Sequence, residues 1–355
     1  MKSYKIIKKI FLGFLFVFGI ITANAQSDMV KFLAAGKADA NKLIGSYIGP
    51  FLETFGSNLN NGWYSTADPL KPGRFTITVG ATASFVPKDK QSFVIDEKDY
   101  TVIKTPSGPV TTPTMFGEKT SPSGVSARFV NGSYMMQVPL HTPGGYGVSI
   151  SPFPVAQVSV GLIKGTEVMI RFFPKIKIDE NKVGWFGFGL KHNIKQWMPF
   201  MSKLPFELSF IGAYSSASFD VSSNNLLPAQ AGVYNPTPLD YTTQAISFSS
   251  KAWNTNLVIS RKFSLLTAFG GIRLSHYKTN LDLKGNYPIT IINSSGITEI
   301  TNLVDPIQLE GSGTQFAFNG GFRVKFGFLA LFAEGSLAPG GYSSATAGLN
   351  FGFFN

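Results

Sequence analysis

The segment Arg273-Leu274-Ser275-His276-Tyr277 sets a serine beside a histidine, the residue types of an acyl-transfer nucleophile and its base. Adjacent residues of a strand point to opposite faces, so within one strand His276 cannot serve Ser275, and only a distant serine would complete a triad. The other histidines, His141 near Pro139, Pro143 and Gly144, and His192 beside a stretch rich in Trp and Met, have the neighbours of strand ends. No His, Asp and Glu spacing suggests a metal, and the lone glycines form no phosphate loop. The absence of cysteine excludes a thiol nucleophile, a disulfide framework, a Cys-ligated zinc site and a lipoprotein anchor. The expectation is a protein without catalysis or cofactor. Its functional candidates are charges on otherwise alternating stretches: Arg74, Glu167, Arg171, Glu207, Arg273, Arg323, Lys325 and Glu334.

The elements that carry those charges show period-two patterning. Phe75, Ile77, Val79, Ala81, Ala83 and Phe85 alternate with Arg74, Thr76, Thr78, Gly80, Thr82 and Ser84. Phe316, Phe318, Phe322, Val324, Phe326 and Phe328 share one face, opposite Gln315, Asn319, Arg323 and Lys325. About ten alternating residues per tilted strand is what an apolar membrane band requires, and lipid tolerates a sheet only when it closes on itself. Only 14% of residues are charged, against roughly 25% in an ordinary soluble domain, while phenylalanine is abundant at 33 residues. The fold expected is all-β, a transmembrane antiparallel β-barrel; the competing arrangement is a secreted sandwich whose apolar faces cover a core. Candidate strands lie at 73–86, 126–138, 153–163, 165–173, 183–191, 205–219, 242–260, 266–284, 313–326, 328–338 and 342–354. An even number requires one more, placed at 91–103, for about twelve strands, with fourteen as the alternative. Inside such a barrel the eight charged residues form an ion-pair network filling the lumen, or they set the selectivity of a pore.

The first 25 residues read as a secretory signal peptide: Lys2, Lys5, Lys8 and Lys9, an apolar run from Phe11 to Ile21, then Ala23-Asn24-Ala25, with cleavage expected after Ala25. Losing those four lysines from 31 basic residues, against 20 acidic ones, leaves a mature charge of +7. No basic run with interleaved aromatics suggests nucleic acid. Residues 26–60 form an amphipathic helical segment. Phe32, Leu33, Leu43, Ile44 and Tyr47 are its apolar positions, Ser27 is an N-cap, and Pro50 ends or restarts the helix. Placed immediately before the barrel of residues 61–355, it is a candidate plug that restricts the lumen. The connection 192–204 carries Trp197 and Phe200 among lysines and reads as an interfacial anchor or a docking site for a partner.

Asn61-Gly62-Trp63-Tyr64, Gly161-Leu162-Ile163-Lys164-Gly165-Thr166-Glu167 running to Arg171-Phe172-Phe173-Pro174, and Gly189 to Trp197 with Leu204-Pro205-Phe206 resemble a family of functionally uncharacterised outer-membrane barrels of Bacteroidota. That resemblance implies fold and location, in the outer membrane of a Gram-negative bacterium, and no chemistry. A helical segment followed by a barrel also resembles, in layout alone, the outer-membrane long-chain fatty acid transporters. The expected function is to pass or bind a small hydrophobic or amphipathic solute, in contact with outer-membrane lipid. The alternative is a closed structural or interaction barrel that recruits partners through its outer loops or the 192–204 connection.

Overall fold

The computed structural model describes residues 32–352, apart from 34, 121–123, 132–133, 141, 179–180, 202, 223–226, 293–294 and 296. Ten strands form a closed antiparallel barrel. They are β1 (Phe75–Phe85), β2 (Ile150–Leu162), β3 (Thr166–Ile178), β4 (Asn181–Asn193), β5 (Glu207–Ser222), β6 (Ala245–Phe263), β7 (Leu266–Lys284), β8 (Ile307–Phe326), β9 (Leu329–Leu337) and β10 (Ser344–Gly352). Each pairs with its sequence neighbour, and β1 closes the ring by pairing with β10, Thr76 opposite Gly352 through Ser84 opposite Ser344.

The burial pattern inverts that of a soluble sheet. On β1 the apolar Phe75, Ile77, Val79 and Phe85 are exposed, whereas Thr76, Thr78, Thr82 and Ser84 are buried. Phe172, Phe188, Phe316, Phe318 and Phe322 continue an exposed apolar belt around the ring. In a sandwich the greasy face would be the covered one, so the two-sheet arrangement is excluded. No described helix is long and apolar enough to cross a membrane.

The strand number is ten, not twelve or fourteen. The stretches 91–103 and 126–138 do extend, but between β1 and β2, where Ser92–Ile95 pairs with Val110–Pro113, and Ser126–Asn131 pairs with Tyr134–Pro139 and with Ile103–Lys104. Period two marks a strand with two unlike faces; it does not say which sheet receives it. This excursion lies at the same end as connections 223–244 and 285–306, the second of which holds the hairpin Asn286–Ile292/Thr298–Val304. The opposite, turn end has two tight hairpins, Phe263 facing Leu266 and Phe326 facing Leu329. At the latter, Gly327 takes φ 58° at the first loop position, where the right-handed strand twist demands it.

The wall is uneven in height. Strand β8 has 20 residues and β9 only nine, so β8 pairs with β9 from Phe318 to Phe326 and, from Ile307 to Ala317, has a ladder partner only in β7. Between β2 and β3 the ladder likewise covers only Gln157–Leu162 against Thr166–Arg171. The Val86 amide donates to the Ser149 carbonyl, which makes Ser84/Ser151 and Thr82/Phe153 hydrogen-bonded pairs. Pro152 and Pro154 therefore turn their donorless nitrogens toward β3, and this edge of β2 is short of donors where the seam opens.

Among the described residues a helix of 22 residues, α1 (Lys37–Asn58), precedes β1. Pro50 lies inside it and does not end it, and the N-cap position is Gly36; the signal peptide and Ser27 lie outside the described residues. The buried side of α1 includes Leu43, Ile44, Tyr47, Leu52 and Phe55, in one cluster with Phe32, Leu33 and the inward residues Phe153, Trp185, Phe219, Phe248 and Tyr277. The chain then runs through turns and bends, without helix or strand, from Leu59 to Gly73, where the Gly73 amide bonds the Gly161 carbonyl at the turn end.

Candidate functional site

The lumen is occupied by residues 52–70. Asn58 donates to the Ser151 carbonyl at 2.8 Å and accepts from Ser84 Oγ at 2.8 Å. Asn60 Oδ1 accepts from Asn254 at 3.1 Å, the Trp63 carbonyl from Gln157 at 3.2 Å, and Tyr64 Oη from Asn319 at 2.8 Å. The Ala67 amide donates to Ser260 Oγ at 3.0 Å and the Leu70 amide to Glu167 Oε2 at 2.9 Å. These partners come from β1, β2, β3, β6 and β8, on opposite sides of the ring, so the segment lies along the axis. The polar faces of the strands thus serve to satisfy the backbone and side chains of an irregular segment that has no ladder of its own.

Trp63 anchors this segment. Its indole is fully buried, and the Arg171 guanidinium stacks 3.9 Å from its ring. Gly187 and Gly189 on β4 make the space: a Cβ there would come within 3.0 Å and 2.9 Å of the indole.

The eight charged candidates fall at different levels. Arg171, Arg273 and Glu334 lie buried in the middle of the lumen. Arg171 Nε donates to Gln157 at 3.0 Å, Arg273 donates to Ser336 Oγ at 2.9 Å and to the Asn60 carbonyl at 3.4 Å, and the Glu334 carboxylate feels both guanidinium charges. Glu167 pairs with Lys191 at 2.9 Å, both buried. Glu207, Arg74, Arg323 and Lys325 lie toward the turn end, where Glu207 accepts from Asn193 at 2.7 Å and meets Lys195 at 3.4 Å. Lys191 was not among the sequence candidates; its inward parity follows from Trp185, Gly187 and Gly189, where glycines hide the usual polar signature.

Other sequence candidates lie elsewhere. Ser275 is buried in the lumen while the His276 ring stacks on Trp253 on the outer face, bonded to Thr314 at 2.9 Å. His141 lies outside the described residues. His192 bonds Thr166 at 2.9 Å and accepts from Trp197 Nε1 at 2.9 Å, with Trp197 and Phe200 exposed at the turn end. Among the described residues no three His, Asp or Glu side chains gather as metal ligands.

Among the described residues, cavities lie in the middle of the lumen and toward each end. The middle one measures about 40 Å³, between Trp63, Gln157, Glu167, Lys191 and Arg323, room for little more than a water molecule. At the loop end a cavity of about 470 Å³ lies beside the upper edge of β8, bounded by Glu53, Tyr277, Gly313, Gln315, Gly341 and Tyr342. There Glu53 accepts from the Tyr342 hydroxyl and pairs with Lys90 at 3.2 Å. Burial, reinforced by that hydrogen bond, pushes the Tyr342 phenol up, which keeps it a donor. The cavity at the turn end measures about 220 Å³.

Fold and lumen together define a closed ten-stranded antiparallel barrel occluded by its own N-terminal segment. The chain belongs to a protein family of unknown function, DUF6588, which it matches over residues 1–353. No curated protein matches the sequence. Among solved structures it is similar to the attachment invasion locus protein Ail of Yersinia pestis in complex with sucrose octasulfate, at 9% identity and TM-score 0.27, covering 79% of this chain and 99% of that one. It is also similar to the toluene transporter TbuX of Ralstonia pickettii (11% identity, 85% and 99% covered, TM-score 0.18) and to the monoaromatic hydrocarbon channel CymD (10%, 81% and 89%, 0.18). At such scores the architecture rests on the barrel's own hydrogen-bond ladders.

Proposed function

We propose that the chain is an outer-membrane β-barrel of a Gram-negative bacterium, exported with cleavage after Ala25, which binds a small hydrophobic or amphipathic solute without covalent chemistry. Membrane residence is supported by the exposed apolar belt around a polar, filled interior, the arrangement that lipid favours and water disfavours. The solute reading is carried by the cavity of about 470 Å³ at the loop end, within the ~300–1,000 Å³ range of small-molecule sites. Its aromatic and glycine surfaces suit an apolar body, and Glu53, Lys90 and Gln315 suit a polar head. The origin in Bacteroidota belongs to the same proposal.

A second reading, a closed barrel that serves structure or recruits partners, is favoured by the filled lumen. The two separate on binding. The refolded chain in amphipol is titrated with a dansyl-labelled fatty acid, beside a Gly341→Phe variant whose side chain would project against Gln315 and into the cavity. Saturable fluorescence enhancement that the variant loses supports the solute site. Absence of saturation in the unsubstituted chain moves the reading to the interaction barrel.

A further inference from the structure

The outer face of the wall has a polar boundary at each end. On β6 the outward positions run from Lys251 through Trp253, Leu257 and Ile259 to Arg261, all exposed. Lys251 stands opposite Lys278 on β7, whose ammonium pairs with Glu310 of β8 at 2.8 Å, so charged residues close the apolar belt on the loop side. Arg261 is ten residues beyond Lys251 along the strand. At about 3.4 Å per residue and a tilt of about 40°, that interval covers about 26 Å of height, close to the ~25 Å apolar band of a membrane barrel. Arg261 thus stands where the headgroups of the turn-side leaflet begin.

The Arg261 guanidinium lies 5.0 Å from the Phe263 ring, and no carboxylate pairs with it among the described residues. Packing on an aromatic face leaves its in-plane N–H groups for an acceptor with several oxygens. The end of the 192–204 connection arrives beside it: Pro205 and Phe206 approach Ser260 and Lys262 around the turn-end cavity, and Glu207 faces Ser260 across the ladder. Lys195 Nζ donates to the Leu204 carbonyl at 2.8 Å and Gln196 to the Lys164 carbonyl at 2.8 Å, which ties the connection to itself and to the neighbouring turn. Trp197, held by His192, and Phe200 project from it 63% and 74% exposed, in the company of the exposed Lys164 and Lys203. The nearby carboxylates Glu207 and Asp68 line the cavity inside the wall. Among the described residues the outer patch therefore combines three cations with apolar tips and no acid.

We propose that this patch binds the phosphodiester headgroup of an anionic phospholipid in the turn-side leaflet, a site that rests on the membrane reading above. Arg261 and Lys203 supply charge-assisted donors to the phosphate oxygens, and Trp197 and Phe200 enter the boundary between headgroups and acyl chains. A lipid suits the patch better than a soluble partner because the patch continues the exposed belt of Phe210, Leu257 and Ile259, and because its charge is complementary to an anionic headgroup. The connection is already fixed by its own hydrogen bonds, so binding orders little of the chain.

The test is tryptophan quenching in vesicles that hold the refolded full chain in phosphatidylcholine with a minor fraction of phosphatidylglycerol. In one preparation the phosphatidylcholine is dibrominated, in the other the phosphatidylglycerol. The signal lost in Trp197→Phe isolates the patch, and that lost in Trp253→Phe isolates the middle of the belt. Brominated phosphatidylcholine should quench Trp253, which checks membrane residence by itself. Brominated phosphatidylglycerol should quench Trp197 beyond its mole fraction, an enrichment of about fivefold for each cation engaged. That enrichment should vanish in Arg261→Gln/Lys203→Gln and persist in Lys88→Gln/Lys98→Gln, which removes the same charge from the loop-end excursion. Trp253 quenched while Trp197 follows the two lipids only in proportion to their mole fractions would overturn the headgroup site. Trp197 untouched by either lipid, again with Trp253 quenched, would assign the patch to a soluble partner and overturn it equally. Trp253 untouched by any lipid would remove the membrane reading, and this site with it.

Discussion

Replacing Phe55 by alanine is expected to release α1 from the lumen without unfolding the barrel. Phe55 is 3% exposed, and its ring meets Phe248 at 4.7 Å, Phe153 at 5.3 Å and Phe219 at 5.7 Å, each edge-to-face. Removing a buried phenylalanine costs about 3–5 kcal/mol, combining lost transfer free energy with the cavity left behind. At ~1.4 kcal/mol per tenfold change, the ratio of undocked to docked helix rises by roughly two to three and a half orders of magnitude. The β6–β7 and β7–β8 ladders do not involve Phe55, so their amides should keep their protection. Hydrogen exchange read by mass spectrometry separates the two events: peptides within 37–58 should exchange faster in Phe55→Ala by that factor, and peptides within 266–284 should not. If both accelerate in parallel, α1 and the barrel open as one unit. A lumenal segment that undocks by itself is then refuted.

Other substitutions probe the rest of the lumen. Lys191→Met should leave the buried Glu167 without its cation and destabilise the protein by about 3–5 kcal/mol in urea unfolding, whereas adding Glu167→Gln should recover much of that loss; equal losses in the single and double variants would mean the pair is not coupled. Gly189→Leu drives a side chain into Trp63 and is expected to cost about 1–3 kcal/mol, read as a lower midpoint of heat-modifiable mobility; an unchanged midpoint would show that the indole relocates freely. Deleting residues 27–70 should convert a silent bilayer into stepwise conductance, since the helix and the lumenal segment with Trp63 leave together; silence from a deletion protein that has folded would place the seal in the loops.

Much of the barrel is legible because the exposed apolar face and the polar lumenal face impose opposite demands on alternate residues. The β1 and β8 patterns appear in the sequence with the parity the structure shows, and Arg171, Arg273 and Glu334 fall on the polar face from parity alone. The strand number is not legible, because 92–95 and 126–131 satisfy the same alternation within a folded connection. Nor is the path of residues 59–73. Asn60 and Asn61 turn as their types suggest, their amides bonding the Ser57 and Asn58 carbonyls, but Asn60 also bonds Asn254, 194 positions away, and only the closed ring brings those side chains together.

The distribution of space along the axis bears on which solute route the fold permits. The loop-end and turn-end cavities are separated by Trp63 and by hydrogen bonds from residues 58–70 to strands on opposite sides of the ring. A molecule moving from one cavity to the other must displace that segment, exposing several buried polar groups at about 1–3 kcal/mol each when left unsatisfied. Leaving the loop-end cavity beside β8 requires no such loss, because Ile307–Ala317 has no ladder partner toward β9 and the exposed Phe316, Phe318 and Leu337 border the gap. The low wall made by the nine-residue β9 therefore has a consequence for function: exchange between the cavity and the surroundings of the barrel is less costly than passage along its axis. A dansyl acid bound in a Trp63→Ala variant, which weakens the axial seal and leaves the lining of the loop-end cavity intact, should accordingly dissociate at nearly the rate seen in the unsubstituted chain, and a large acceleration would mean that the axial route carries the exchange.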